Sequence, residues 1–440
     1  MTSSHQTHTP AAEEHFDLII IGTGSGNSIP SPEFDDQKIA IIEKGTFGGT
    51  CLNVGCIPTK MYVYAADIAL AAREAGRLGL DAQVNSVDWD SIVDRVFTNR
   101  IDQIAKGGEQ YRRGEETPNI TVFDEHARFI GPKTIQTGEH VITGEQIVIA
   151  AGSRPVIPEV YAKSGVKYYT NEDIMRMDHQ PQSLIVVGGG YIAMEFAHVF
   201  DGLGTEVTVV NRSETLLRHL DDDLSSRFNQ IARDRFDVRI ANGTQLEKTD
   251  KGVRLELDDG TSIEAEAILV ATGRTPNGDQ MDVDKAGIEL LADGRVKTDE
   301  FGRTTAEGVW ALGDVSSPYM LKHVANAEMR SVQHNLLHPE DLRPLPHDNV
   351  PAAVFTHPQI ATVGRTEKQA REEGFDVTVK VQNFGDVAYG WAMEDKTGIC
   401  KLVADRATGQ LLGAHLMGPQ ASTLIQQLIT CLLYTSPSPR

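Results

Sequence analysis

Phe16-Asp17-Leu18-Ile19-Ile20-Ile21 is an almost unbroken apolar run, the pattern of a strand buried on both faces of a parallel sheet. It runs straight into Gly22-Thr23-Gly24-Ser25-Gly26-Asn27. A second run, Lys38-Ile39-Ala40-Ile41-Ile42-Glu43, ends in an acid 21 residues after Gly22. The same grammar returns later: Leu184-Ile185-Val186-Val187, then Gly188-Gly189-Gly190, then a helical stretch through Glu195, then a strand at Glu206–Val210. Strands that pass through glycine turns into helices predict an α/β chain with two Rossmann-like units. Pro30 and Pro32 cannot lie inside a long helix, so the crossover between the first two strands is predicted to be short.

At 440 residues the chain is too long for one ordinary core, and two or three domains are expected. Its 41 basic and 62 acidic residues give a net charge of -21, which repels nucleic acid and anionic membrane surfaces. No run of eighteen apolar residues is present to serve as a transmembrane helix. Residues 1–15 are polar and lack a basic-then-apolar signal pattern, so they read as a disordered leader on a cytoplasmic protein. Four cysteines in this length agree with a reducing compartment.

Both glycine turns suit a dinucleotide. In the first, Gly22 and Gly24 let the backbone approach a pyrophosphate and Glu43 stands where a carboxylate binds a ribose hydroxyl, although Asn27 replaces the usual third small residue. The alternative for Glu43 is a surface acid at a strand end. The second turn, Gly188-x-Gly190-x-x-Ala193, follows the rule closely, but its next strand ends at Asn211-Arg212 rather than at an acid. Arg212 and Arg218 could hold a 2′-phosphate, which favours NADPH over NADH; the alternative is two solvated surface charges.

Between these units lies Gly48-Gly49-Thr50-Cys51-Leu52-Asn53-Val54-Gly55-Cys56-Ile57-Pro58-Thr59-Lys60. On a continuous helix, thiols five apart would have Cα atoms about 8.6 Å apart, beyond the roughly 4.4–6.8 Å that a disulfide tolerates. A working pair therefore requires a bend, which Gly48, Gly49 and Gly55 permit, and Pro58 suits the first turn of a helix starting near Cys56. A helix N-terminus and Lys60 would both lower a thiol's pKa. A zinc ribbon needs a second close pair, and Cys400 and Cys431 stand alone.

The segment as a whole resembles the redox signature of the flavoprotein disulfide reductases, the group that contains glutathione reductase and dihydrolipoamide dehydrogenase. That resemblance, which runs from about Phe16 to Thr430, implies FAD at the first site, NADPH at the second, and electron flow from nicotinamide through flavin to the dithiol. Within it, Cys56 would face the flavin, Cys51 would attack the substrate disulfide, Lys60 and Glu195 would pair beside the flavin, and Tyr191 would gate the nicotinamide pocket. Ile149–Pro155, with Gly152, and Ala271–Asn277, with Gly273, resemble the paired crossings between the two nucleotide domains. Gly308–Val315 resembles the second FAD motif, in which Asp314 would bind the ribityl chain. Pro351–Gly364 resembles the entry to an α+β dimerisation domain, implying a homodimer, with His357 structural.

The implied layout is an FAD domain at 16–155 and 275–345, an NADPH domain at 156–274 and a dimerisation domain at 346–430. Two departures stand out. The family's C-terminal His-Pro followed by Glu, its proton-transfer device, does not follow His415, and residues 431–440 read as a foreign tail. The shortened crossover separates the chain from glutathione reductase and points to a branch acting on another low-molecular-weight thiol disulfide. An NAD-dependent dihydrolipoamide dehydrogenase and a non-catalytic flavoprotein or redox sensor are the competing readings.

Overall fold

The computed structural model describes residues 14–434, which fall into two compact units. Among the described residues, the first comprises 14–57, 97–154 and 274–346. Its seven-stranded sheet runs in the order Ile120–Phe123, Ile39–Ile42, Glu14–Ile21, His140–Ile149, Thr134–Thr137, Ala127–Gly131, and Val309–Ala311 also pairs with His140–Ile149. The strands around Glu14–Ile21 are parallel, and Thr134–Thr137 is antiparallel to both its neighbours.

Successive side chains of a strand point to opposite faces, and here both faces are buried. Ile19, Ile21, Ala40, Ile42, Ile147 and Ile149 enter one core, while Leu18, Ile20, Ile39, Ile41 and Val148 enter the other. This is why the strands read as continuous apolar runs. The first strand begins at Glu14, inside the segment expected to be a disordered leader, because Glu14 and His15 register with Ile142 and Thr143. The rest of that leader lies outside the described residues.

No α-helix joins the first two strands; the connection holds only the 3-10 turns Gly26–Ser28 and Pro32–Phe34. Without a helical ladder its polar groups need other partners. Buried Arg112, on the helix Asp102–Arg113, supplies them: its guanidinium donates to Asn27 Oδ1 at 3.0 Å, the Asn27 carbonyl at 2.7 Å and the Pro30 carbonyl at 3.4 Å.

The second unit comprises, among the described residues, 58–96, 155–273 and 347–434. It contains a parallel sheet ordered Asp237–Ile240, Glu206–Asn211, Ser183–Val187, Ala267–Val270, and an antiparallel one built from Gly243–Thr249, Gly252–Leu257 and Ser262–Ala265. A five-stranded antiparallel sheet follows, in the order Ala352–Val354, Ile360–Gly364, Leu411–Met417, Ile399–Asp405, Val377–Asn383. The helix Ala421–Tyr434 covers it through Ala421, Ile425 and Leu432, packed with Ala361, Val363, Ala414 and Leu416. That helix continues past Thr430, into the segment expected to be a foreign tail, since Leu432 carries its apolar stripe into the core; residues 435–440 lie outside the described residues. Among the described residues no helix is long and apolar enough to cross a membrane.

Candidate active site

The dithiol segment bends where its glycines allow. Gly48 and Gly49 adopt φ of +105° and +72°, and a short helix, Gly49–Asn53, carries Cys51. Val54 and Gly55 break it, and the helix Cys56–Glu74 begins at the second thiol, with Pro58 in its first turn. Gly55 serves close packing: a Cβ there would lie 2.9 Å from the Thr50 carbonyl oxygen. Asn53 locks the turn by donating to the carbonyls of Thr46, Phe47 and Gly49.

Cys51 and Cys56 are hydrogen-bonded thiols. That bond to Cys56 raises the pKa of Cys51, burial raises it further, and Lys322 pulls in the opposite direction. Cys51 is therefore held protonated beside Cys56.

The dithiol turn packs against the first glycine loop. A Cβ on Gly49 would meet Gly24 Cα at 2.6 Å, and the Gly48 N–H donates to Thr23 Oγ1 at 2.9 Å. Thr23 in turn holds Glu43: its N–H and its hydroxyl both donate to Oε2, at 3.0 and 2.6 Å, while the Gly45 N–H donates to Oε1 at 2.9 Å. A carboxylate offers about four lone-pair sites, so one remains on Oε1 for a ribose hydroxyl. Gly22, at φ +103°, is irreplaceable, since a Cβ would stand 2.4 Å from the Ala150 carbonyl oxygen.

Asp314, in the 3-10 turn Gly313–Val315, accepts from Ser153 Oγ at 2.6 Å. Arg274 donates to that same hydroxyl at 2.8 Å and to the Ser153 carbonyl at 2.6 Å. The strands Ser153–Pro155 and Arg274–Pro276 pair, and the Gly152 carbonyl accepts from the Asn277 N–H at 3.0 Å. Gly152 itself sits at φ +66°. A cleft of about 390 Å³ opens beside Lys44, lined also by His126, Arg128, Asp279, Gln280 and Asp282. The tight glycine loop, the residual acceptor on Glu43 and the oriented Asp314 fit a bound FAD, which would supply the two-electron relay between nicotinamide and dithiol.

In the second unit, Gly188 takes φ +128°, where a Cβ would lie 2.3 Å from the Ala271 carbonyl oxygen. Gly190 caps the helix Tyr191–Leu203, whose Ala193 is fully buried and whose Tyr191 is 42% exposed at the first turn. Gly273, at φ +146°, accepts from the Val156 N–H at 2.9 Å. Asn211 turns back on its own loop, donating to the Ser213 carbonyl at 2.6 Å and packing on Gly189, so no anion faces a ribose there. Leu217 N–H to the Gly189 carbonyl, 2.7 Å, folds that loop onto the glycine turn. Arg212 and Arg218 flank it, both exposed, and among the described residues neither forms an ion pair. Two guanidiniums without an ion pair, beside a strand that ends in Asn211 rather than an acid, fit a 2′-phosphate.

Lys60 and Glu195 meet: Nζ lies 2.7 and 2.6 Å from the two carboxylate oxygens. Phe355 completes the pair, its N–H donating to Glu195 Oε1 at 2.9 Å and its ring centroid 4.6 Å from the ammonium. His415 is buried in the strand Leu411–Met417, its Nε2 against the Arg365 carbonyl at 2.9 Å, and burial pushes its pKa down. His357 stacks on His198. Sequence reasoning missed Thr23, Ser153, Phe355 and Lys322. Thr23, Ser153 and Phe355 lie inside quoted motifs, and the first two could have been found as hydroxyls beside a cofactor-loop glycine; Lys322 carries no local signal.

With this geometry in place, comparison with known proteins defines the class. Residues 16–330 match the pyridine nucleotide-disulphide oxidoreductase family model, and residues 350–435 match that family's dimerisation domain. The chain belongs to that family, whose members imply FAD and NADPH as cofactors. It is 54% identical to the mycothione reductase of Mycobacterium tuberculosis, across 96% of this chain and 93% of the relative. Glutathione reductase of Burkholderia cepacia is 31% identical, covering 95% and 92%. Among solved structures, an HOCl-induced flavoprotein disulfide reductase from Escherichia coli superposes with a TM-score of 0.82 at 26% identity, covering 96% and 94% of the two chains.

Proposed function

We propose that this chain takes electrons from NADPH and reduces a low-molecular-weight thiol disulfide, mycothione, keeping a cellular thiol pool reduced in the cytoplasm as a homodimer. The observation that carries the reading is the Cys51–Cys56 pair, hydrogen-bonded across a helix break in a chain 54% identical to a mycothione reductase. FAD would lie in a domain formed by 16–155 and 275–345, along Gly22, Gly24, Glu43, Gly152 and Asp314. NADPH would lie in 156–274, on Gly188, Gly190, Ala193 and Gly273, with its 2′-phosphate on Arg212 and Arg218. Residues 346–430 would form the dimer contact. When bound, FAD would supply two-electron transfer between the nicotinamide and the disulfide.

The chain's own groups then divide the work. Once the disulfide is reduced, Cys51 attacks one sulfur of the substrate disulfide, forming a mixed disulfide and releasing the first substrate thiol with the proton from Cys51; the Cys56 thiolate then attacks the Cys51 sulfur, re-forming the Cys51–Cys56 disulfide and releasing the second thiolate, which takes a proton from water. Lys60, fixed by Glu195, presents a cation of set position, and Tyr191 covers the nicotinamide face. Neither His357 nor buried His415 is assigned the proton transfer.

Anaerobic titration of the FAD-loaded protein with NADPH, then NADH, tests this reading, followed by turnover on mycothiol disulfide, glutathione disulfide and lipoamide. A long-wavelength thiolate-to-flavin band with NADPH and preferential turnover of mycothiol disulfide is expected. Preference for NADH and lipoamide would establish a dihydrolipoamide dehydrogenase instead, and cofactor binding without disulfide turnover would establish a redox sensor. Substituting Cys51→Ser should preserve the long-wavelength band while abolishing turnover, whereas Cys56→Ser should remove both.

A further inference from the structure

Lys322 opens the helix Lys322–Leu337 and is not part of any glycine, thiol or acid motif. Its ammonium donates to Ser25 Oγ at 2.9 Å, and that hydroxyl donates to Asn326 Oδ1, also at 2.9 Å, one helical turn beyond Lys322. Ser25 is buried in the same glycine loop on which the dithiol turn rests through Gly24–Gly49 and Thr23–Gly48. Lysine and dithiol thus share one rigid platform. Among the described residues Lys322 forms no ion pair with a carboxylate. A partly buried ammonium whose hydrogen-bonded neighbour is a hydroxyl needs an anion within electrostatic reach, or its desolvation is uncompensated.

Three neighbouring acids lie within electrostatic reach of it. Cys51, Cys56 and Asp314 each favour its charged form, against burial, which pulls its pKa down. Asp314 lies on the turn Gly313–Val315 and is already engaged by Ser153. On the dithiol side the helix start at Cys56 adds a positive dipole end, and Lys60, four residues along that helix, is committed to Glu195.

We propose that Lys322 is a positioning residue that sets the charge of the dithiol: anchored by Ser25 and Asn326, its ammonium holds the reduced Cys51–Cys56 pair in the singly deprotonated state. The proposal rests on the reading of these two thiols as the redox pair. It explains how a pair whose mutual hydrogen bond and burial both resist ionisation on Cys51 keeps one thiolate available at neutral pH.

The test is the pH profile of iodoacetamide alkylation of the reduced, FAD-loaded protein, followed by mass spectrometry on the peptide carrying Cys51 and Cys56, which separates it from Cys400 and Cys431. In Lys322→Met the alkylation midpoint should rise by about one pH unit, slowing the reaction roughly tenfold at pH values below the wild-type midpoint. Lys322→Arg should restore it to within a few tenths of a unit. A midpoint in Lys322→Met that matches wild type overturns the proposal, as does a shift that Lys322→Arg fails to reverse. Melting temperature and bound flavin show whether Lys322→Met is folded; if it is not, Asn326→Asp, which sets a carboxylate beside the ammonium, should raise the midpoint, and an unchanged midpoint overturns the idea. Alkylation requires no disulfide turnover, so failure of the proposed reaction would appear separately, in the NADPH titration.

Discussion

At the scale of single residues, the site depends on small polar side chains that bridge segments distant in sequence. Thr23 is 1% exposed and is tied to Glu43 by two hydrogen bonds and to Gly48 by a third, joining the glycine loop, the ribose-binding acid and the dithiol turn. Replacing it with valine keeps the shape and removes the hydroxyl. One buried amide, Gly48 N–H, then loses its acceptor, and Glu43 loses a donor that fixes its rotamer. A buried hydrogen bond with an orphaned partner is worth about 1–2 kcal/mol, so FAD affinity in Thr23→Val should fall roughly 5- to 30-fold. Thr23→Ser should stay near wild type. Quenching of flavin fluorescence on titration measures both, and equal affinities in all three proteins would refute the bridging role. The position was legible as part of a glycine loop, but its partners lie 20 and 25 residues away, and only the folded backbone brings them together.

At the scale of elements, the strands were legible and the connections less so. Ile19, Ile20 and Ile21 announce a doubly buried strand because both sheet faces are covered. The helix Cys56–Glu74 and the break before it follow from Gly55, Pro58 and thiol geometry. Pro30 and Pro32 announced a short crossover, yet nothing local identified what replaces the missing helix. The replacement is Arg112, about eighty residues on, holding Asn27 and Pro30. Asn27, which spoils the glycine fingerprint, thereby acquires a reason: its side-chain oxygen is one arm of that clamp. Arg112→Met fills similar space and leaves the Asn27 and Pro30 carbonyls without their donor. We expect a loss of about 2 kcal/mol in unfolding free energy, together with weaker FAD retention, read by urea titration and by bound-flavin absorbance. Arg112→Lys should recover little of this, since one ammonium cannot reproduce the planar fork. Full recovery by lysine would show that charge alone is required.

At the scale of the whole chain, acidity sets two opposing responses to pH. A net charge of -21 at pH 7 strains the folded state by self-repulsion, which acid and salt both relieve. Against this stand carboxylates that folding holds ionised. Asp221 is 1% exposed and Lys401 2%, with Lys401 Nζ 2.7 Å from Asp221, 2.6 Å from Asp223 and 2.9 Å from Glu367. Burial pushes Asp221 up, but Lys401 and the Glu367 N–H outweigh it, so its carboxyl titrates below the ordinary range; Lys401 holds Glu367 down as well. A carboxyl with a depressed folded pKa contributes stability that is complete above its unfolded value and disappears as pH falls through the folded one. The buried cluster therefore weakens below about pH 4.5, whereas relief of net charge acts in the other sense and is screened by salt. Lys401→Met separates the two. It leaves Asp221 buried with amide donors only, and should cost about 3–5 kcal/mol at pH 7. With Lys401 gone, burial outweighs the two amide donors and raises the Asp221 pKa above its unfolded value, so the deficit relative to wild type should shrink as pH falls toward 4, and it should be nearly insensitive to salt. Urea unfolding of both proteins at pH 7 and pH 4.5, in low and high salt, measures this. A deficit that persists unchanged at the lower pH would mean that Lys401 stabilises through its packed aliphatic stem and not through the charges around it.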